Sequence, residues 1–556
     1  MKKRFIIIFS IFLLLFIFIT IQPAPLIGED SFIIYPSSIG RPLSDFLPMI
    51  FSLNGITTYD AAGAGVYHIF YTFYSLIGGQ NVWHFKLLNL SILAINYLFL
   101  WLWFKKTDEQ VSSLWPLSAI VFFTFSIPVW QMVVAHSSSP GTTQTLFTAI
   151  ALFTYFFYYR LPQTKVKQIL SFIIILFFTR VSTLMKGEGR LIFVIIFIYL
   201  FILTGYTMFK GIKINKKIPS LKSLPLFETK NMILLFILFI LCIPLISFLI
   251  TIESETGPIQ HYVQKTDVLY TYFPILFSLR PGLGEGFIHT NYGFYYHLFL
   301  KTLYPWHVYS FFAVFIICIS LLLMYISLKH TRESTIHTTL AHLCLFSGIW
   351  FIIVLSAIEV QRGLTEVHSY YNWQIIDLYY AFFPGSIFII SCVWFAYLSL
   401  SELDKKKVLR RILIFLLILL LIIKITTMLT WSGGFLDYFV GFFHASDYVS
   451  EHDNTSRVVV FHQGTNYIYS DLTLIKYHFP TLMSKENSCP TQEQIDDLFT
   501  DYNPSEDMFI LTNEPLQSCE KIVFIDAITP RNTSFYYYIK NILRLSKKTY
   551  IYQITD

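Results

Sequence analysis

Eleven runs of roughly 20 mostly apolar residues divide this chain, and each is long enough to cross a bilayer as a helix. They fall at 5–22, 87–104, 114–134, 142–159, 168–185, 190–208, 232–252, 306–328, 338–358, 375–399 and 412–430. No A-x-A cleavage site follows the first run, so it reads as a retained span rather than a leader. Composition fits this class: 55% of the 556 residues are hydrophobic and only 13% are charged. A soluble protein would carry about a quarter charged residues.

The net charge of +6 is modest and does not point to nucleic acid as a partner. The basic residues instead gather between apolar runs. One set of span ends carries Lys2-Lys3-Arg4, Lys105-Lys106, Arg160 with Lys165 and Lys167, the stretch from Lys210 to Lys230, Lys329 with Arg332, and Lys405 to Arg411. The other set is poorer in Lys and Arg despite longer loops. Such a bias places the N-terminus in the cytoplasm. An odd number of spans then puts the C-terminus outside. The expected location is the cytoplasmic (inner) membrane.

This orientation sorts the chain by chemistry. The long loops at 23–86 and 253–305, the shorter one at 359–374 and the tail from 431 are all extracytoplasmic, so any catalysis is expected on that face. In the first loop, Leu43–Leu53 and Val66–Ile77 are amphipathic and read as helices lying in the interface. The tail alternates short β-rich runs at Arg457–Phe461, Met508–Leu511, Ile522–Ile525 and Thr549–Ile554 with helical stretches near 493–500 and 534–546. That pattern predicts a small α/β domain. The expected organisation is therefore a multi-pass α-helical membrane domain over 1–430 and an extracytoplasmic α/β domain over 431–556. Cys489 and Cys519 lie in the tail, where an oxidising compartment would let them pair.

The first carboxylates of the chain, Glu29 and Asp30, stand just beyond Gln22-Pro23-Ala24-Pro25 at the end of the first span. The segments that follow carry recurring signals. These are Ala64 to Tyr71 with Tyr67 and His68, Leu76-Ile77-Gly78-Gly79, Trp83 to Asn89, Ser126-Ile127-Pro128, Leu184-Met185-Lys186, and His368-Ser369-Tyr370-Tyr371. In order and spacing this series resembles the GT-C glycosyltransferases, among them protein O-mannosyltransferases and aminoarabinose transferases. It covers roughly the first 400 residues. The resemblance implies a polyprenyl-phosphate-linked sugar donor and a lipid, glycan or protein acceptor at the outer face. It also implies that Asp30 is the general base, with Glu29 beside it.

The expected substrate-binding residues follow from this reading. A phosphate leaving group needs cations to hold it. Lys186, Glu188 and Arg190 share the tight turn Lys-Gly-Glu-Gly-Arg between the fifth and sixth spans, with Arg180 one turn below. Arg280, Arg362, His368 and Tyr371 are further candidates, and Tyr67 and His68 are placed to shape the acceptor site. His68, His136, His289 and His368 are the residues a divalent ion would use with Asp30. None pairs at H-x-x-x-H or H-E-x-x-H spacing, so no metal cofactor is expected.

One departure from the pattern stands out. Many relatives carry a second carboxylate after the third span, whereas here the turn Val134 to Thr142 has none. Two other classes stay open. A transporter or flippase of lipid-linked glycan would place ionisable groups near the midplane and show repeated halves. A non-catalytic assembly protein would use the tail to bind a partner.

Overall fold

The computed structural model describes residues 2–21, 82–125, 139–161, 163–185, 189, 191–215, 220–241, 335–362, 379–401, 407–422, 425, 457–463, 481–484, 508–512, 522–528 and 549–554. The expected interfacial helices of the first loop, the span at 306–328 and the tail helices near 493–500 and 534–546 lie outside these residues.

The helices follow the apolar runs. They are α1 (Lys2–Ile21), α2 (Val82–Thr107), α3 (Leu114–Thr124), α4 (Ser139–Thr154), α5 (Lys165–Met185), α6 (Leu191–Asn215), α7 (Thr229–Leu241), α8 (Thr335–Arg362), α9 (Tyr379–Ser401) and α10 (407–422). One turn of π-helix, Tyr155–Tyr159, extends α4. Among the described residues α5, α6, α8 and α9 are long and apolar enough to cross a membrane. This is a helical membrane protein. α3 is buried nearly all round, as a helix apolar on every face must be.

Lipid is as apolar as a Leu side chain, so packing and interhelical hydrogen bonds hold such helices together. The α8–α9 seam uses small residues. A Cβ on Gly348 would stand 2.9 Å from the Phe388 ring, and Ser347, Ser386 and Ser391 are buried beside it. α2 and α3 are tied by Thr124 Oγ1, 2.6 Å from the Tyr97 hydroxyl. The centre is aromatic. The fully buried Trp103 of α2 meets Phe153 at 5.4 Å, Phe157 at 5.3 Å, Phe346 at 6.3 Å and Trp350 at 6.3 Å between ring centroids. One side chain thus joins α2, α4 and α8.

Charged contacts gather at one end of the bundle. Lys106, at the end of α2, lies 5.4 Å from the Tyr158 ring at the end of α4. Tyr159 donates to the Lys230 carbonyl at 2.7 Å, and Lys230 Nζ reaches the Arg160 carbonyl at 3.3 Å and Glu228 at 3.5 Å. Arg410 of α10 stands 5.2 Å from the Tyr397 ring of α9. The ends of α2, α4 and α9 and the starts of α7 and α10 therefore share one side, as the alternation of basic loops requires.

The tail contains a five-stranded sheet of β1 (Arg457–Gln463), β2 (Thr481–Ser484), β3 (Met508–Thr512), β4 (Ile522–Ile528) and β5 (Thr549–Ile554), in the order β2-β1-β3-β5-β4. β1 pairs in parallel with β2 and β3, while β5 runs antiparallel to β3 and β4. Parallel neighbours need long crossovers, and the connections at 464–480 and 485–507 have that length. Successive side chains of a strand point to opposite faces. Ile510 and Leu511 of β3 are both fully buried, so both faces of the sheet are covered there. The edge strand β4 is interrupted by a bulge between Phe524 and Asp526.

The Trp103 hub yields a test. Trp103→Ala should destabilise the protein by about 3 kcal/mol, the low end for a large aromatic truncation, because lipid already surrounds the bundle. Trp103→Phe should be tolerated, since it keeps a ring and removes an indole N–H that has no partner among the described residues. Thermal unfolding of the detergent-solubilised protein distinguishes the two.

Candidate functional site

At the end of the bundle opposite the charged contacts, α4 and α5 are joined by a buried polar seam. Gln144 and Thr148 stand one turn apart on α4, and Ser182 lies in the last turn of α5; all are buried. Gln144 Nε2 donates to Ser182 Oγ at 3.2 Å and to Thr148 Oγ1 at 3.3 Å. Thr148 Oγ1 and Ser182 Oγ are 2.8 Å apart, and Ser182 Oγ also donates to the Gln144 carbonyl at 3.3 Å. Helix spacing puts residues i and i+4 on one face, which is why Gln144 and Thr148 meet the same serine. Gln144 Oε1 is buried and accepts no hydrogen bond among the described residues.

The seam borders a small cavity lined by Gln144, Thr145 and Thr148 of α4, Leu191 and Ile195 of α6, and Trp350 of α8. Its volume is about 10 Å³, room for one water molecule at most. A sugar does not fit there.

Above it lies the turn joining α5 to α6. Gly189 is buried in this turn, and a Cβ there would come within 2.4 Å of the Ser182 carbonyl carbon and 2.5 Å of the Thr183 nitrogen. Any side chain at 189 would displace backbone. The glycine is required because its own backbone lies directly on the end of α5. The turn's Ser182 neighbour is the same residue that Gln144 and Thr148 hold. Thr183 is itself fixed, its hydroxyl donating to the Thr179 carbonyl at 2.6 Å.

Lys186, Glu188 and Arg190 flank Gly189 and lie outside the described residues, as do Glu29, Asp30, Tyr67, His68, Arg280, His368 and Tyr371. Arg362 is the last residue of α8. Arg180 is half-buried on α5, below Ser182. Among the described residues no group of three or more His, Cys, Asp and Glu is placed to hold a metal ion.

Two clusters escaped the sequence reading. Gln144, Thr148 and Ser182 carry no charge and sit in apolar runs; the one available signal was a glutamine inside a span. The other cluster is Arg160, which donates to the Tyr199 hydroxyl, which in turn shares a 3.1 Å hydrogen bond with His342 Nδ1. The Arg160 guanidinium also stacks 4.5 Å from the Phe156 ring. Arg160 reads from sequence only as a marker of sidedness.

Neither a family model nor a curated protein sequence matches the chain. Two solved structures are similar to it along nearly its whole length. One is ArnT from Cupriavidus metallidurans bound to undecaprenyl phosphate, with 11% identity, a TM-score of 0.37, and coverage of 98% of this chain and 97% of that one. The other is the same protein in the apo state, with 10% identity, a TM-score of 0.39, and coverage of 99% and 98%.

Two substitutions separate seam from turn. Gly189→Ala should cost about 1–3 kcal/mol, the range for overpacking against a fixed neighbour. Gln144→Ala should cost under about 1 kcal/mol, because Thr148 and Ser182 still bond each other and interhelical hydrogen bonds in membranes are individually weak. Unfolding curves of the two variants beside the parent protein measure both.

Proposed function

We propose that the protein is an integral-membrane glycosyltransferase. It moves a sugar from a polyprenyl-phosphate-linked donor to an acceptor hydroxyl at the outer face of the cytoplasmic membrane. The observation that carries this reading is the contact of Gly189 with Ser182. It seats Gly189, which stands between Lys186 and Arg190 in the chain, on a hydrogen-bonded pair of helices. The ordered series of GT-C-like motifs supports the same reading, as does the gathering of basic contacts at the other end of the bundle.

The chemistry is a single displacement. Asp30 takes the proton of the acceptor hydroxyl as its oxygen attacks the anomeric carbon. The bond from that carbon to the donor phosphate oxygen breaks, and the configuration inverts. Polyprenyl phosphate leaves with the electron pair, and its charge is held by Lys186 and Arg190. A positioned general base contributes about 10²–10⁴-fold to such a step, and a charge-assisted contact to phosphate contributes about 1.5–3 kcal/mol. No second carboxylate follows the third span, so the base chemistry falls on the first-loop pair.

Undecaprenyl phosphate, the lipid bound in one of the similar structures, is the probe. Lys186→Gln should weaken its binding to the purified protein by roughly 10–100-fold. Asp30→Asn should leave that binding unchanged while abolishing sugar transfer in membranes. An Asp30→Asn variant with parental transfer removes the mechanism, and equal binding of undecaprenyl phosphate by Lys186→Gln removes the assigned phosphate site.

A further inference from the structure

α8 and α9 pack antiparallel along a seam whose register the rings define. The Phe351 and Phe388 rings stack at 6.3 Å between centroids, and a Cβ on Gly348 would stand 2.9 Å from the same Phe388 ring. The His337 and Phe395 rings meet edge-on at 6.1 Å. Later residues of α8 thus meet earlier residues of α9. Between these layers lie Cys344, one turn before Gly348, and Cys392, one turn after Phe388. The two face each other, and their thiols are hydrogen-bonded. Both are free thiols; Cys344 is buried and Cys392 is half-buried.

The setting suits a disulfide. That bond needs Cα atoms within about 7 Å of each other, and small residues are what let two membrane helices approach closely. Gly348 and the buried Ser347, Ser386 and Ser391 supply them along this seam. The two sulfurs differ in access: Cys392 keeps part of its surface open, whereas Cys344 belongs to the buried core. Both lie inside helices apolar enough to cross a membrane, so an oxidant that reaches them has to dissolve in hydrocarbon. A hydroperoxide with an apolar body does so, because removing apolar surface from water is favourable. Charged reductants of the cytosol do not follow it there.

We propose that Cys344 and Cys392 form an oxidative cross-linking site, closed by a lipid-soluble hydroperoxide into a disulfide that clamps α8 to α9. In the first step the Cys392 sulfur attacks the terminal oxygen of the hydroperoxide. An S–O bond forms, the O–O bond breaks, and the alcohol leaves with the thiol proton, so Cys392 becomes a sulfenic acid. In the second step the Cys344 sulfur attacks the Cys392 sulfur. The S–S bond forms, the S–O bond breaks, and water leaves with the Cys344 proton. Together the two thiols lose two electrons, and one hydroperoxide is reduced to alcohol and water. The clamp does not depend on the proposed transfer chemistry.

Peptide mapping of the full chain in saturated-lipid nanodiscs tests the proposal, with cumene hydroperoxide as the oxidant. After treatment, blocking of remaining thiols and digestion without reductant, the parent protein should yield one peptide pair joining Cys344 to Cys392. Its mass should be lower than the sum of the two peptides by two hydrogen atoms, and dithiothreitol should separate it. Two variants read the order of the steps. Cys344→Ser removes the resolving thiol, so Cys392 should accumulate as sulfinic and sulfonic acid. Cys392→Ser removes the thiol attacked first, so Cys344 should stay reduced under the same treatment. Ala replaces Ser in either variant that is not monodisperse on gel filtration. A parent protein in which both thiols stay reduced, or in which Cys392 is oxidised while Cys344 stays free, overturns the proposal. Oxidised Cys344 in the Cys392→Ser variant overturns the assigned order.

Discussion

The hydrogen-bonded contact of Gln144, Thr148 and Ser182 is the interaction that sets how α4 and α5 meet. Two apolar helices in lipid gain little from hiding apolar surface, because their surroundings are equally apolar. What fixes their register is close packing and the few polar groups that have no water to turn to. Ser182 is held by both Gln144 and Thr148, and Gly189 rests on Ser182. The position of Gly189 therefore follows from the α4–α5 contact. Small residues do similar work elsewhere, with Gly348 admitting the Phe388 ring at the α8–α9 seam.

The two ends of the bundle differ in the chemistry they bury. At one end the described contacts are those of an amide, hydroxyls and a glycine, with Arg180 half-buried near them. The other brings Lys106, Arg160, Lys230 and Arg410 against tyrosine rings, carbonyls and one carboxylate.

Much of this arrangement was legible in the sequence. Uninterrupted apolar runs gave α5, α6, α8 and α9, since twenty such residues have few other stable states. Alternation of basic loops gave which helix ends lie together. Four of the five strands were read from their β-branched and aromatic residues. β2 was missed because Thr481–Ser484 is short and contains no β-branched run. The ends of α6 were misjudged: it continues past 208 to Asn215, where Lys210 and Lys213 alternate with apolar residues and still wind as helix. The polar seam was not legible, because its partners are 34 and 38 residues apart in the chain. Serine and threonine are also ordinary inside spans. The close approach of Gly189 to the α5 backbone was not legible either, because it is visible only in three dimensions.

The central proposal is that Lys186 and Arg190, on either side of Gly189 in the chain, hold the donor's phosphate beside Asp30. The most direct measurement is an experimental structure with undecaprenyl phosphate bound. The account predicts phosphate density within hydrogen-bonding reach of Lys186 or Arg190, with Asp30 close to it. Phosphate density at another set of cations, with this turn unoccupied, would contradict it.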